Sequence, residues 1–169
     1  MVYKYSTQVT ENCAKAVGIS LPISRKHGFA ICKYLRGFAL PDAKKFLEDV
    51  IRLKRPVPFT KFTNGLGHKP GMAAGRFPVK ASSYILKLLK SVEANAQVKG
   101  LSTANLIIKH IVAQKAPGVM RSGRRQRNAK RTHIEVVVEE VKKRRLEKVK
   151  KIKQKKQEVG VVKQEAGKK

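Results

Sequence analysis

The sequence predicts an α+β fold on three observations. Apolar residues recur at the 3.6-residue spacing of a helix in three separate stretches. Two later runs, Leu106 to Gln114 and Thr132 to Val141, are rich in Ile and Val and alternate as strands do. Between them lies a cationic connection too long for a tight turn, as expected of the outer part of an extended hairpin.

In chain order, a short strand around Val2 to Tyr5 is expected to add an edge to the sheet. The first helix is expected over 24–36, with Ser24 at its cap, Ile31, Tyr34, Leu35 and Phe38 on one face, and Gly37 as its end. The second begins at Pro41, because a first-turn N–H has no helical partner to lose. Asp42 meets the positive end of the helix dipole, and Ala43, Phe46, Leu47, Val50 and Ile51 form the buried stripe. This helix must stop before Pro56, whose ring pushes the preceding residue out of the α region. Residues 56–78 read as a long loop punctuated by glycine and proline, and a loop of that length in a compact domain has a job or is disordered. The third helix, about 78–97, opens with Pro78, aligns Ile85, Leu86, Leu89, Val92 and Ala96, and stops at Gly100. The two β-rich runs are expected to pair antiparallel. Ile134, Val136 and Val138 would share one face of the second run, and Leu106, Ile108, His110 and Val112 one face of the first. His110 and His133 would lie on opposite arms, within reach of facing each other.

Charge narrows the function. The 169 residues carry 39 Lys and Arg against 11 Asp and Glu, a net charge of +28. Self-repulsion on that scale is relieved by a polyanion, with nucleic acid the first candidate. No apolar run approaches the roughly 20 residues a membrane helix needs, so no membrane segment is expected. The N-terminus lacks the apolar core of a secretory signal. Cys13 and Cys32 make no CxxC pair and read as reduced thiols of a cytosolic protein. The four histidines, His27, His68, His110 and His133, show no zinc-ligand spacing, and no carboxylate pair has an evident pocket. Neither a metal, a cofactor nor a catalytic group is expected.

Three segments carry the cations. The connection from Lys115 to Arg131 holds Lys115, Arg121, Arg124, Arg125, Arg127, Lys130 and Arg131 with no acidic residue among them. Arginine forks bind phosphate oxygens bidentately, and a two-stranded ribbon fits a nucleic-acid groove or crevice. In the Gly-rich loop and just beyond it, Lys61, Asn64, Gly65, Gly67, His68, Lys69, Arg76 and Lys80 combine backbone amides with cations, a pairing that can cradle a phosphate. The spacing is not that of a nucleotide-binding P-loop. The segment 142–169 is Lys-rich with too few apolar residues for a core. Its first cations, Lys142, Lys143, Arg144 and Arg145, would bind a polyanion by counterion release.

Taken together and in order, several segments resemble the universal large-subunit ribosomal protein 22 family in its archaeal or eukaryotic form. They are Ile23-Ser24-Arg25-Lys26-His27, Leu53 to Phe59, Gly67 to Gly71, Gly75 to Lys80, Leu88 to Gln97, and Thr132 to Val138, within a region of resemblance covering about 1–141. The resemblance implies three helices packed on a small three-stranded antiparallel sheet, with a long β-hairpin at 109–132. It also implies a structural, non-enzymatic protein that binds large-subunit rRNA, links several rRNA domains during assembly, and sends the hairpin toward the nascent-peptide exit tunnel. On that basis Met120, Arg121 and Arg124 are the tunnel-proximal candidates. Partners would be rRNA, neighbouring large-subunit proteins and the nascent peptide near the tip, with a cytoplasmic location and no homo-oligomer. The connection between Ala116-Pro117 and His133-Ile134 is several residues shorter than the family pattern, and the basic extension after Val141 is longer. The competing class is a sequence-tolerant basic DNA-binding or chromatin-like protein, which shares the charge but not the ordered segments.

Overall fold

The computed structural model describes residues 3–8 and 12–141. Its central element is a three-stranded antiparallel sheet of β1 (Cys13–Leu21), β8 (Thr132–Glu140) and β5 (Leu106–Lys115), in the order β1-β8-β5. The last strand in the chain is therefore the middle one. Three helices, α1 (Arg25–Leu35), α2 (Leu40–Ile51) and α3 (Val79–Val98), pack with this sheet around a single apolar core. Ile31, Leu35, Leu40, Leu47, Ile85 and Leu89 from the helices are fully buried, as are Ile108, Ile111, Ile134 and Val136 from the sheet. Each such side chain contributes about 1.5–3 kcal/mol when removed from water.

Residues 56–78 are ordered. They form a second small sheet, β2 (Val57–Pro58), β4 (Met72–Arg76) and β3 (His68–Lys69), with β4 in the middle. The hairpin continues past β5 through two short paired strands, β6 (Val119–Met120) and β7 (Asn128–Ala129), before returning into β8.

Four expectations are corrected. The edge strand is Cys13–Leu21, whereas Tyr3 to Tyr5 adopt no strand and Val2 lies outside the described residues. Ala14, Ala16 and Gly18 give β1 little of the β-branched character that marks a strand, so its pattern is weak.

The second correction concerns β5. Ile108 pairs with Val138 and His110 with Val137, so Lys109 is an extra residue, a β-bulge. Beyond it the inward face changes phase: Ile111 is buried, while His110 and Val112 are only partly covered. Third, His110 and His133 are not cross-strand partners. His133 stands opposite Gln114, and its Nδ1 accepts a 3.1 Å hydrogen bond from the Ser20 N–H. Fourth, Ser24 occupies the α1 cap position without a side-chain capping bond, and Pro78 precedes α3 rather than entering its first turn.

The Tyr3 to Ser6 segment covers the opposite face of β8, and this makes Glu135 fully buried. Its carboxylate accepts from the Ser6 N–H at 2.9 Å and from Gln114 Nε2. Both tyrosine hydroxyls, of Tyr3 and Tyr5, are shifted toward higher pKa by burial and by the Glu135 charge. On the open edge of β1, Lys99 Nζ and Asn95 Nδ2 of α3 and its C-cap donate to the carbonyls of Cys13 and Lys15, which blunts an edge that would otherwise invite pairing. The Cys32 thiol is buried and pushed up to about 12, so it is not a reactive group.

Where α1 crosses β5, Gly28 supplies a close approach. A Cβ there would lie 3.1 Å from the Ala113 Cβ. Helix propensity favours Ala over Gly by about 0.5–1 kcal/mol, but overpacking costs about 1–3 kcal/mol. Gly28→Val is expected to lower stability by about 1–3 kcal/mol in urea unfolding, with part of the loss recovered by Ala113→Gly. A neutral Gly28→Val would show that α1 does not approach β5 this closely.

Candidate nucleic-acid interface

The hairpin is built as a continuation of the core sheet. The β5–β8 pairing runs from Leu106 opposite Glu140 to Lys115 opposite Thr132, and the Ala116 N–H then donates to the Arg131 carbonyl. At the tip the Arg121 N–H donates to the Arg127 carbonyl and the Gln126 N–H to that of Gly123, closing a turn that places Arg124 and Arg125 in solvent. Val119 and Met120 are also exposed, so the ribbon has no apolar interior at its outer end.

The return arm is fastened to the base at the corner between β1 and α1. Thr132 Oγ1 donates to the Ile23 carbonyl at 2.9 Å, and Arg131 Nη1 to the Ser20 carbonyl at 3.1 Å. Ser20 sits in the left-handed region at φ +53°, a conformation uncommon for a non-glycine residue and held here by these long-range bonds.

Beside this corner lies a cleft of 310 Å³. It is walled by the turn Pro22 to Ser24, by Lys80 in the first turn of α3, and by hairpin residues that include Arg121, Arg127, Lys130 and Arg131. Five cations thus converge on one concave surface with no carboxylate in its lining. Arg131 Nε is buried and has no acceptor among the described residues, so it is a donor available to a group bound in the cleft. The open start of α1 faces the same cleft through Ser24, and free N–H groups at a helix start favour an anion. A phosphate oxygen answers each of these demands.

Of the loop residues, only Lys80 joins the hairpin in this cleft. Arg76 closes the loop on itself, donating through Nη2 to the Gly65 carbonyl at 3.4 Å, and the Gly67 carbonyl accepts from the Gly75 N–H. Asn64 and Gly65 form an exposed turn, His68 pairs with Ala74, and Lys69 holds its ammonium over Phe77. Lys61 reaches over Phe29 of α1. The tail cations Lys142, Lys143, Arg144 and Arg145 lie outside the described residues.

Sequence reasoning named His27 but did not place it at the interface. It stacks edge-on against Phe59 and is held below its ordinary pKa by burial first, then by the Arg76 and Lys130 charges. Those two charges come from the small sheet and the hairpin, so His27 marks where loop and hairpin cations meet on α1. Three of the acidic residues are engaged elsewhere: Glu93 with Lys44 at 2.7 Å, Glu139 with Lys109 at 3.3 Å, and Glu135 under the N-terminal segment. From Ala94 to Ile134 the chain contains none. Among the described residues no group of three or more His, Cys, Asp or Glu is arranged to hold a metal ion, and no helix is long and apolar enough to cross a membrane.

Residues 16–139 match the family model described as ribosomal protein L22p/L17e. The chain is similar to the large ribosomal subunit protein uL22 of Methanocaldococcus jannaschii, with 46% identity over 147 residues, 81% of this chain and 94% of that protein. It is also similar to the protein of that name in Archaeoglobus fulgidus, 44% identical over 116 residues, 67% of this chain and 75% of the relative. With the Ignicoccus hospitalis uL22 the identity is 41% over 155 residues, 82% of this chain and 98% of the relative.

Unfolded His27 takes up its proton near 6.5, while the folded residue resists protonation to lower pH. Stability from this group is therefore complete above about 6.5 and declines as pH falls toward its folded value. Thermal melts across that window should show the decline, and His27→Gln should flatten it. An unchanged pH dependence in His27→Gln would remove His27 from the cationic cluster.

Proposed function

The chain belongs to the ribosomal protein L22p/L17e family, and on that premise we propose that it is a structural constituent of the large ribosomal subunit that binds rRNA through the hairpin and the cleft at its root. Such a protein is non-enzymatic and works in the cytoplasm with rRNA and other large-subunit proteins as neighbours. The reading is carried by one observation: five cations from the hairpin and α3 converge on a cleft without an acid, beside a buried guanidinium N–H that has no acceptor among the described residues.

The mechanism follows from chemistry and spacing. One phosphate contact is weak in water, but a ribbon presenting Arg121, Arg124, Arg125, Arg127, Lys130 and Arg131 releases many counterions at once. Phosphate contacts position, and A-form RNA hides its major-groove edges, so the hairpin recognises backbone shape more than sequence. Lys80 and Arg76 lie on the base while Arg124 and Arg125 lie at the tip, so rRNA segments that are separate in sequence can be tied to one rigid body. In the assembled subunit the tip, with Met120, Arg121 and Arg124, points toward the nascent-peptide exit tunnel. The tail from Lys142 adds a further, sequence-tolerant electrostatic anchor.

The full chain is expected to co-sediment with large subunits and to be stripped only at high salt; recovery mainly on DNA would contradict the reading. Replacing Arg121, Arg124, Arg125 and Arg127 by Gln should reduce the slope of log affinity for rRNA against log salt by roughly 3, at about 0.7–0.9 for each phosphate that is no longer neutralised. Circular dichroism of that variant should match the parent, because these side chains are exposed and stand outside the core. An unchanged salt slope would place the hairpin outside the RNA interface.

A further inference from the structure

We propose that Phe62, supported by Phe29, is a stacking platform for an unpaired RNA base, separate from the phosphate-binding cleft. The platform presupposes the RNA-binding reading above and adds to it a second mode of recognition, of a single-stranded nucleotide.

Phe62 is 45% exposed in the β2–β3 connection and adopts φ +60°. A bulky residue in the left-handed region is an outlier, and Gly or Asn would occupy the position with less strain. Such strain persists where the surroundings hold it, and it concentrates at binding sites. Here the holding contacts are visible. Lys33 Nζ of α1 donates to Thr60 Oγ1 at 2.7 Å, pinning the connection to the helix, and the buried Phe59 anchors it against His27. The Phe62 ring then meets Phe29 of α1 in an edge-on pair, centroids 6.2 Å apart and planes at 78°.

Charge selects the occupant. Lys26 Nζ lies 5.1 Å from the Phe62 centroid, and Lys61 Nζ lies 5.9 Å from that of Phe29. The segments that build the patch, 22–38 and 56–78, contain no acidic residue. Aromatic faces flanked by ammonium groups match a nucleotide: the base stacks on the ring, and a lysine displaced from the ring moves to the adjacent phosphate. A duplex offers no free base face, so the platform reads single strands, loops or bulges.

Fluorescence anisotropy with the full chain, using a labelled short oligoadenylate and a labelled RNA duplex of equal charge, separates the two modes. Phe62→Gly keeps the left-handed backbone accessible and should fold at least as well as the parent. It should weaken oligoadenylate binding about tenfold, by an amount that does not change with salt, and leave duplex binding within about twofold. Phe62→Trp should restore or tighten oligoadenylate binding. Equal weakening on both RNAs, or none on oligoadenylate, overturns the platform and leaves the patch as a surface for a protein neighbour. Because the parent chain's duplex binding reports the RNA-binding reading by itself, a parent that binds neither RNA would overturn that reading together with this one.

Discussion

The pairing of β8 with β1 on one side and β5 on the other is the constraint on which the rest of the structure depends. A strand in the middle of a sheet can satisfy its backbone groups on both edges, and β8 is covered on both faces as well, by the helices and by the Tyr3 to Ser6 segment. That makes it the most firmly held element in the fold. The hairpin is the same β5–β8 ladder prolonged beyond the core, so its root inherits the core's rigidity. A cationic ribbon on a flexible stem would give up conformational entropy with every contact it made.

Burying Glu135 serves the same end. A carboxylate removed from water is costly unless its oxygens are hydrogen-bonded, and here Gln114 on β5 and the Ser6 amide donate to it. The acid thereby ties the N-terminal segment to the two strands that form the hairpin. The Lys44–Glu93 pair is partly buried and the Lys109–Glu139 pair more open to solvent, and neither is a large source of stability beside the apolar core. Their effect is rather one of distribution: with these acids engaged on the body, the hairpin and cleft keep an unneutralised positive field. Repulsion among those cations is the cost of the free protein, and a bound polyanion would relieve it.

Local periodicity made the three helices legible, because Phe46, Leu47 and Val50, or Ile85, Leu89 and Val92, place one stripe against the core whatever the tertiary context. The two hairpin arms were legible from Ile and Val density, and the cations of the tip from composition. What stayed hidden depends on partners distant in sequence. β1 is a strand because β8 needs a second neighbour, not because its Ala- and Gly-containing sequence favours one. The bulge at Lys109 adds one residue without any side-chain signature, so the alternation that placed His110 and Val112 inward fails halfway along. Glu135 follows the outward alternation but is buried by a segment 129 residues earlier. The convergence of Lys80 with the hairpin, of His27 with Arg76 and Lys130, and of Phe29 with Phe62 arises only from packing.

A basic chromatin-like protein would share the net charge and the tail, but it would not need a ribbon rooted in the core or a cleft at that root. Those features suit a protein that holds folded RNA at fixed distances from one body. The most direct test is a density map of large subunits carrying this chain, read at residues 119–131. If the hairpin and its root bind rRNA, phosphates will lie within hydrogen-bonding distance of Arg121, Arg127 and Arg131, with one of them filling the cleft beside Lys80. A hairpin lying in solvent, or a cleft occupied by protein side chains while rRNA passes elsewhere, would contradict it.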